Sequence, residues 1–345
     1  MFYLEDTVSL PNRHGRSQTH PSKLKKLSLS KGIHSPKRAK QNLKKDSDKL
    51  ASMLEKAGEL TYARQLKECG SVERTESCPC AKTSRQLSRS CKKRICPRCQ
   101  LKRAFKKGKE IEAIVSHLQE SFPGVIFFFG SFTIPNCSAE DLGSEITNLI
   151  TGYKKLLRRP ELSRHLIGSF RSIEIQFNKR SRDYHPHVHC IIAFKASYIG
   201  HKGAYINQDR WRELWKQSMD LAINPEVKVS RITKNTRKRK FPTIGAAVAA
   251  KVDYSMEPLE SKRWIPEGLA AFNSKTTRRR LHGFTGAFAL IRRELPPYVQ
   301  SCTCPDCKGK LTSRMMVTSP NKQHSAPALT SAYEKKKAAL SEIQV

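Results

Sequence analysis

The chain has 345 residues, of which 65 are Lys or Arg and 30 are Asp or Glu, and its formal net charge is +35. A positive excess of this size is typical of proteins that bind nucleic acid. No apolar run approaches the roughly 18 residues that a membrane-spanning helix needs, and the first ten residues lack the basic and apolar regions of a signal peptide. We therefore expect a soluble, cytoplasmic protein with a polyanionic partner and no membrane partner.

The two ends of the chain are predicted to be disordered. Residues 7–50 are rich in Lys, Ser and Pro, contain few aromatic residues and show no sustained periodicity, so they cannot bury enough surface to order themselves. We predict a disordered basic arm over residues 1–50 and a disordered tail over residues 313–345. Between residues 50 and 66, apolar residues recur at near-helical spacing and predict one short amphipathic helix.

A group of cysteines follows this helix. The chain has 11 cysteines, most of them in two short stretches, which favours thiolates on a metal over a secreted disulfide framework. Cys91, Cys96 and Cys99 form a knuckle that needs one further ligand to hold a tetrahedral zinc ion. For that ligand we favour Cys69, with Cys78 and Cys80 as alternatives. The sequence thus predicts a helix plus a structural zinc module over residues 51–110.

A second cysteine group lies near the carboxyl end of the chain, at Cys302, Cys304 and Cys307. Three cysteines need a fourth ligand, so residues 299–312 are a weaker candidate for a second zinc knuckle. Cys137 and Cys190 lie apart from both groups and are interpreted as ordinary buried thiols.

Residues 111–298 alternate between strand and helix periodicity. An apolar run at residues 125–134 predicts a buried strand, and two alternating segments around a polar turn predict a β-hairpin over residues 170–194. Three helices and one more strand are predicted: helices over residues 142–157, around residues 209–219 and over residues 244–256, and a strand near residues 227–232. Without a βαβ nucleotide motif, this mixture predicts an α+β fold with an antiparallel sheet covered by helices on one face.

Three histidines on the second strand of the hairpin are candidate metal ligands. Residues two apart on a strand point to the same face, so His187 and His189 present their imidazoles to one ion, and His185 is a further candidate. Glu174 lies on the polar face of the neighbouring strand and offers an oxygen ligand. Mg²⁺ or Mn²⁺ bound there would keep open positions for a phosphate oxygen. The alternative is that the histidines are ordinary surface or core residues, as such pairs often are.

Tyr254 lies on the alanine-rich helix, flanked by Lys251 and Asp253. Most tyrosines only pack, but a helix with small side chains can lie close to a sheet and direct one phenol at a metal site. A phenol placed there can serve as a nucleophile toward phosphate.

Two basic runs, with Lys251, are predicted to contact DNA. Such residues bind phosphate, so they predict affinity that falls with salt and say little about base sequence. The predicted contacts are Lys234, Arg237, Lys238, Arg239, Lys240, Lys251, Arg278, Arg279 and Arg280.

Taken in order, these motifs resemble the plasmid rolling-circle replication initiators of the HUH endonuclease superfamily. The resemblance runs from about Cys69 to Leu295. It rests on the cysteine knuckle, Glu174, the His-Pro-His-Val-His segment at residues 185–189, Tyr254 with the following Ser-Met-Glu-Pro, and a segment at residues 280–286. The resemblance implies an RRM-like antiparallel sheet with the metal histidines on a central strand, and a nicking and ligating domain over residues 111–298.

The resemblance also implies a chemistry. His187, His189 and Glu174 would hold the catalytic ion, and Tyr254 would nick single-stranded or hairpin-extruded origin DNA. A 5′-phosphotyrosyl link and a free 3′-OH primer would result, and religation would follow. The chain has no Walker A motif, so a host helicase and a host DNA polymerase are implied as partners.

Two positions depart from the family pattern. Ala250 stands where many relatives have Glu, and Glu257 stands where the family often has Lys, so Asp253, Glu257 and Lys251 are the candidate substitutes. A transposase or mobilisation relaxase of the same superfamily is an alternative function. A zinc-containing DNA- or RNA-binding protein without catalysis is a second alternative.

Overall fold

The computed structural model describes residues 36–71, 73–77, 80, 84–200, 205–235, 239–295 and 312–316. The helices are α1 (Pro36–Lys56), α2 (Leu60–Glu68), α3 (Pro97–Ser121), α4 (Leu142–Leu157), α5 (Pro160–Ser163), α6 (Ser197–Gly200), α7 (Gln208–Met219), α8 (Ile244–Tyr254), α9 (Pro266–Thr276) and α10 (Ala287–Glu294). The strands are β1 (Glu73–Ser77), β2 (Ser84–Ser88), β3 (Ile126–Thr133), β4 (Leu166–Asn178), β5 (Asp183–Phe194), β6 (Val227–Arg231), β7 (His282–Gly286) and β8 (Thr312–Met316). Within these residues, no helix is long and apolar enough to span a membrane.

Five antiparallel strands form the central sheet, in the order β6-β3-β5-β4-β7. The predicted hairpin is confirmed as β4 and β5, which are joined by a turn at residues 179–182. The predicted buried strand is confirmed as β3, and the predicted helices over residues 142–157 and around residue 215 are confirmed as α4 and α7. The α+β class with an antiparallel sheet is therefore confirmed.

Helices cover both faces of this sheet, so the prediction of helices on one face is wrong. β3 buries Phe128 and Phe132 on one face and Phe127 on the other. Beyond His189, β5 also places apolar residues on both faces, because Ile191 and Ala193 alternate with Ile192 and Phe194. A strand that is apolar on both faces requires cover on both. The side chains of α4, α7 and α9 lie in the first core, and those of α3, α8 and α10 lie in the second.

The amino-terminal region is more helical than the sequence indicates. α1 begins at Pro36, so the predicted disorder of residues 1–50 is wrong for residues 36–50. A hydrogen bond to a distant residue helps to hold this segment: Asp46 Oδ1 accepts the backbone N–H of Ser261 at 3.0 Å. The composition of the segment does not reveal such a contact. The single helix predicted between residues 50 and 66 is two helices, because the chain turns at Gly58 in the left-handed region (φ +80°).

The cysteine-rich segment is continuous with the sheet domain. α3 runs through the predicted boundary between residues 110 and 111 and carries its amino end in the cysteine cluster. A small sheet of order β2-β1-β8 adjoins this segment, and β8 shows that the predicted disordered tail is wrong for residues 313–316. A short strand such as β8 is stabilised by pairing with a strand that is distant in the chain, so its own sequence does not predict it.

Candidate functional site

Three potential metal ligands converge on one face of the sheet. His187 and His189 lie two apart on β5, and Glu174 of β4 lies directly opposite His187 in the strand register. Glu174 Oε2 is 2.7 Å from His189 Nε2 and 3.2 Å from His187 Nε2, and the two Nε2 atoms are 3.0 Å apart. Both histidines are buried, and Glu174 is half-buried. The sequence-predicted ligands are therefore brought together.

This donor set fits a divalent cation. Adjacent ligand atoms of an octahedral ion with bonds of ~2.1 Å are ~3.0 Å apart, which matches the spacing of the three atoms. The two imidazole nitrogens and the carboxylate oxygen can all direct lone pairs at one ion placed between them. Two histidines and one carboxylate on one side of the ion leave positions open for substrate.

The surroundings of the triad orient its members. Burial alone would raise the pKa of Glu174, but hydrogen bonds from His187 and His189 outweigh it and hold the pKa well below its usual range. His187 Nδ1 faces the carbonyl of His185 at 3.3 Å, and a contact of this kind commonly fixes the orientation of a metal-binding imidazole. The His189 ring stacks on Phe129 with centroids 5.5 Å apart.

His185 does not join the triad in the structure. Its Nδ1 lies 2.8 Å from Asn136 Oδ1, and its ring centroid is 5.5 Å from that of His187. The group whose ligand atoms all lie within 4.8 Å contains Glu174, His187 and His189 alone among the described residues. His185 lines the same cleft and remains a candidate contact for substrate.

Tyr254 lies beside the triad at the carboxyl end of α8. Its ring centroid is 5.7 Å from that of His189 and 6.2 Å from that of Phe129. The helix approaches this position because small residues on α8 pack against α3, where Asp253 lies against Gly108. With 54% of its surface exposed, Tyr254 is an unusually open aromatic residue. It borders a cleft, called here the Tyr254 cleft, that His187 and His189 also line.

Two lysines line the Tyr254 cleft, whereas the two candidate acids near Tyr254 lie on different sides of it. Lys228 and Lys251 line it, and Lys251 Nζ lies 5.0 Å from the centroid of the Phe129 ring. Of the two candidate substitutes for the family acid, Asp253 lies toward α3, away from the triad. Glu257 lies on the Glu174 side, where desolvation and the charge of Glu174 raise its pKa.

Four cysteines form a second candidate metal centre. The sulfurs of Cys69, Cys91, Cys96 and Cys99 all lie within 4.8 Å of one another, with contacts of 3.5 Å for Cys69–Cys99, 3.6 Å for Cys91–Cys99 and 3.6 Å for Cys69–Cys96. A zinc ion with four bonds of ~2.3 Å places its sulfurs ~3.8 Å apart, close to these spacings. Hydrogen bonds among the four thiols lower the pKa of Cys69 and Cys99 and raise the pKa of Cys91 and Cys96, so part of the cluster favours the thiolate that binds metal.

The local sequence explains this cluster. Cys96 is the N-cap of α3 and Pro97 occupies the first turn, so Cys99 points back at Cys96. Lys92 adopts a left-handed backbone conformation (φ +56°) that turns the chain between Cys91 and Cys96. The structure groups Cys69, the favoured fourth ligand, with the knuckle and leaves Cys80 outside the group. The other cysteines of both predictions, Cys78, Cys302, Cys304 and Cys307, lie outside the residues whose side chains are described.

The remaining cysteines and the basic runs are dispersed. Cys190 is buried as predicted, whereas Cys137 is only half-buried, and desolvation raises the pKa of both. Lys234, Arg239 and Lys240 follow β6, whereas Arg237 and Lys238 lie outside the described residues. Arg278, Arg279 and Arg280 lie instead beside the cysteine cluster, near three cations that sequence inspection did not single out: Lys92, Arg94 and Arg103.

His282, on β7, is predicted to make stability depend on pH. Its pKa is lowered to about 3 by burial and by the charges of Lys107, Arg94, Arg103 and Arg171. Because the folded pKa lies below the ordinary 6.5, its contribution to stability is complete above pH 6.5 and is lost as pH falls toward 3. We expect the free energy of unfolding to drop by about 2 kcal/mol between pH 7 and pH 5 from this residue alone.

Urea unfolding of wild type and of a His282→Asn variant at pH 7 and pH 5 measures this effect. The variant should lose less stability than wild type on acidification. Equal losses in the two proteins would show that His282 is accessible to protons in the folded state.

The fold and its centres define a class: an α+β protein with a His-His-Glu triad, a four-cysteine cluster and a strongly basic surface. A protein-family model described as "Replication protein" matches residues 82–309. The chain therefore belongs to that family, which confirms the resemblance to plasmid replication initiators. No solved structure matches the chain.

Three curated relatives carry the description "Protein rep". The chain is 27% identical over 206 residues to a "Protein rep" of Streptococcus pneumoniae, a match that covers 59% of this chain and 63% of that protein. It is 31% identical over 152 residues to a "Protein rep" of Staphylococcus aureus, covering 44% of this chain and 66% of that protein. A "Protein rep" of Lentilactobacillus hilgardii is 30% identical over 185 residues, covering 54% of this chain and 59% of that protein. The chain thus spans less than two thirds of each of these relatives.

Proposed function

We propose that the protein initiates plasmid rolling-circle replication by nicking one strand of origin DNA with Tyr254. The observation that carries the proposal is the position of the phenol, 5.7 Å ring to ring from His189, in one cleft with the Glu174-His187-His189 triad. A nucleophile beside a cation site is the arrangement that phosphoryl transfer requires. The family of replication proteins supports the biological context.

The proposed reaction is a transesterification. The oxygen of Tyr254 attacks phosphorus, a tyrosyl O–P bond forms, and the bond from phosphorus to the 3′ oxygen breaks. The phenol gives up its proton and the departing 3′ oxygen gains one, which leaves a 5′-phosphotyrosyl link and a free 3′-OH. Mg²⁺ or Mn²⁺ held by the triad would supply charge neutralisation at a phosphate oxygen.

The neighbouring residues have separate roles in this proposal. Glu174, His187 and His189 would hold the cation, and His185 and Lys251 would contact the DNA strand from the walls of the cleft. Host helicase and polymerase act on the opened strand and its 3′-OH. Religation then occurs when a 3′-OH attacks the phosphorus of the phosphotyrosyl link, so that a phosphodiester bond forms, the tyrosyl O–P bond breaks and Tyr254 regains its proton.

The test is a covalent adduct. Purified protein is incubated with labelled single-stranded fragments that tile the replicon carrying the gene, with Mn²⁺ or with EDTA, and is then denatured and separated by size. The proposal expects an adduct on one fragment with Mn²⁺ and none with EDTA. Binding without an adduct on any fragment would favour the non-catalytic DNA-binding alternative. If the only cleaved fragments are those that contain the ends of a mobile element, the result would favour the transposase alternative.

Removal of one triad ligand should weaken metal binding strongly. Outer-shell substitutions alone cost 10- to 100-fold, so Glu174→Ala should reduce Mn²⁺ affinity by more than ~100-fold. Calorimetric titration with Mn²⁺ measures the affinity, and the adduct assay should show a parallel loss. His185→Ala is the matched control, because His185 lies on the same face of β5 but outside the triad. A loss in the control as large as that in Glu174→Ala would contradict the ligand assignment.

A further inference from the structure

A second cleft, called here the α9 groove, lies between the cysteine-rich segment and the carboxyl end of α9. Six cations line it: Lys92, Lys93, Arg94, Arg103, Arg279 and Arg280. Among the described residues that line the groove, none is acidic. The cations come from two separate parts of the chain, so the fold itself concentrates them.

Three of these arginines are fixed in position without losing their charge. Arg94 donates hydrogen bonds to the carbonyls of Thr276 and, at 2.8 Å, of Arg279. Arg103 donates to the carbonyl of Lys92 at 3.0 Å, and Arg279 Nε donates to the carbonyl of Lys275 at 2.9 Å. Carbonyl oxygens orient a guanidinium but supply no counter-charge. The groove is therefore a preorganised cationic surface that fits a polyanion.

His282 at the base of the groove reports the same unbalanced field. Its Nδ1 is buried without a hydrogen-bond partner. Lys107, Arg94, Arg103 and Arg171 all disfavour its protonated form and so lower its pKa. The positive potential of the groove therefore extends to this half-buried ring.

A third cleft lies between the α9 groove and the Tyr254 cleft. It shares Arg94, Arg103 and His282 with the α9 groove, and Glu174, Glu257 and Glu260 also line it. It shares Gln176 with the Tyr254 cleft. The triad and the α9 groove therefore border the same cleft, and the α9 groove is a cationic surface next to the triad.

We propose that the α9 groove binds the sugar-phosphate backbone of double-stranded DNA next to the strand that is cleaved. Sites for single strands depend on exposed aromatic rings that stack on bases. The aromatic residue of this groove, Tyr62, is covered by Lys93, whose Nζ lies 4.6 Å from the ring centroid. Charge without a stacking surface favours duplex backbone. The proposal rests on the function proposed above and adds a second DNA contact to it.

The test removes the two lysines of the groove. Lys92→Gln and Lys93→Gln are combined in one variant of the full chain, and the control combines Lys154→Gln and Lys155→Gln, two exposed cations near the end of α4 that line none of the three clefts. Binding to a labelled 20-base-pair duplex is measured from 0.05 to 0.3 M NaCl. Each lost phosphate contact should flatten the slope of log affinity against log salt by ~0.9, so we expect a change of about 2 and roughly 20-fold weaker binding at 0.15 M.

Adduct formation on the cleaved single-stranded fragment separates this proposal from the function on which it rests. The groove variant should form the adduct within about threefold of wild type while its duplex binding is lost. A groove variant that binds duplex like the control overturns the α9 groove proposal, whatever the adduct assay shows. Equal loss of duplex binding and of adduct, with an unchanged melting temperature, overturns the assignment to duplex. A wild-type protein that binds duplex through the groove but forms no adduct overturns the nicking function alone.

Discussion

The variant Tyr254→Phe should form no covalent adduct with DNA while it keeps the fold, the Mn²⁺ affinity and the DNA affinity of wild type. The substitution removes one hydroxyl from a ring that is 54% exposed, so the free energy of unfolding should change by less than ~0.5 kcal/mol. Loss of a nucleophile abolishes the chemical step rather than weakening it. We expect the adduct to fall by at least ~10³-fold.

Tyr205→Phe is the matched control for this experiment. Tyr205 is 56% exposed, which is close to the exposure of Tyr254, and it lies near Tyr198 rather than near the triad. Its variant should form adduct at the wild-type rate. Mass spectrometry of a protease-digested adduct locates the linkage, which should be on the peptide that contains Tyr254. A linkage on another tyrosine, or residual adduct in Tyr254→Phe, would overturn the assignment of the nucleophile.

The triad geometry follows from features that sequence alone carries. Period-two spacing places His187 and His189 on one face of a strand, and a hairpin with a short turn fixes which residues of the two strands are opposite each other. In the structure the turn at residues 179–182 places Glu174 opposite His187. The position of Tyr254 was predictable only as a hypothesis, because the approach of α8 to the sheet depends on its packing with α3.

Other features depend on contacts between distant segments and could not be predicted. The helix at residues 36–50 is held in part by Asp46, whose carboxylate accepts the backbone N–H of Ser261, 215 residues further along the chain. β8 forms by pairing with β1, so its own sequence carries little signal. Residues 282–286 form β7 by pairing with β4 at the edge of the sheet, and α10 follows directly. Tertiary contacts decide such elements.

The choice of the fourth cysteine shows where spacing is insufficient. Cys69 lies 22 residues before Cys91, farther than either alternative, and no rule of spacing selects it. The end of α2 brings Cys69 to within 3.5 Å of Cys99, because α2 packs against α1, which in turn packs on α3. Helix packing therefore supplies what the motif lacks.

Loss of the cysteine cluster should disrupt the amino-terminal part of the fold. Cys96 is fully buried, and Leu50, Leu54, Leu66 and Ile95 pack in the same core. Without an ion, four sulfurs within 4.8 Å of one another would have to be protonated, because four thiolates would repel one another. Structural zinc contributes ~10 kcal/mol or more to small domains that fold around it. In a larger domain we expect Cys96→Ser to lower the melting temperature by about 10 °C.

Metal content and proteolysis measure this prediction. Elemental analysis of purified Cys96→Ser should find one zinc ion per chain fewer than in wild type, and limited proteolysis should cleave the segment between α2 and α3 faster. Cys137→Ser is the control, since Cys137 is a half-buried thiol outside the cluster. Its zinc content and melting temperature should match wild type. Unchanged zinc in Cys96→Ser, or an equal loss in Cys137→Ser, would refute the four-cysteine assignment. A wild-type content of two zinc ions would assign the second ion either to the Glu174-His187-His189 triad or to the group at Cys302, Cys304 and Cys307, and its loss in Glu174→Ala would select the triad.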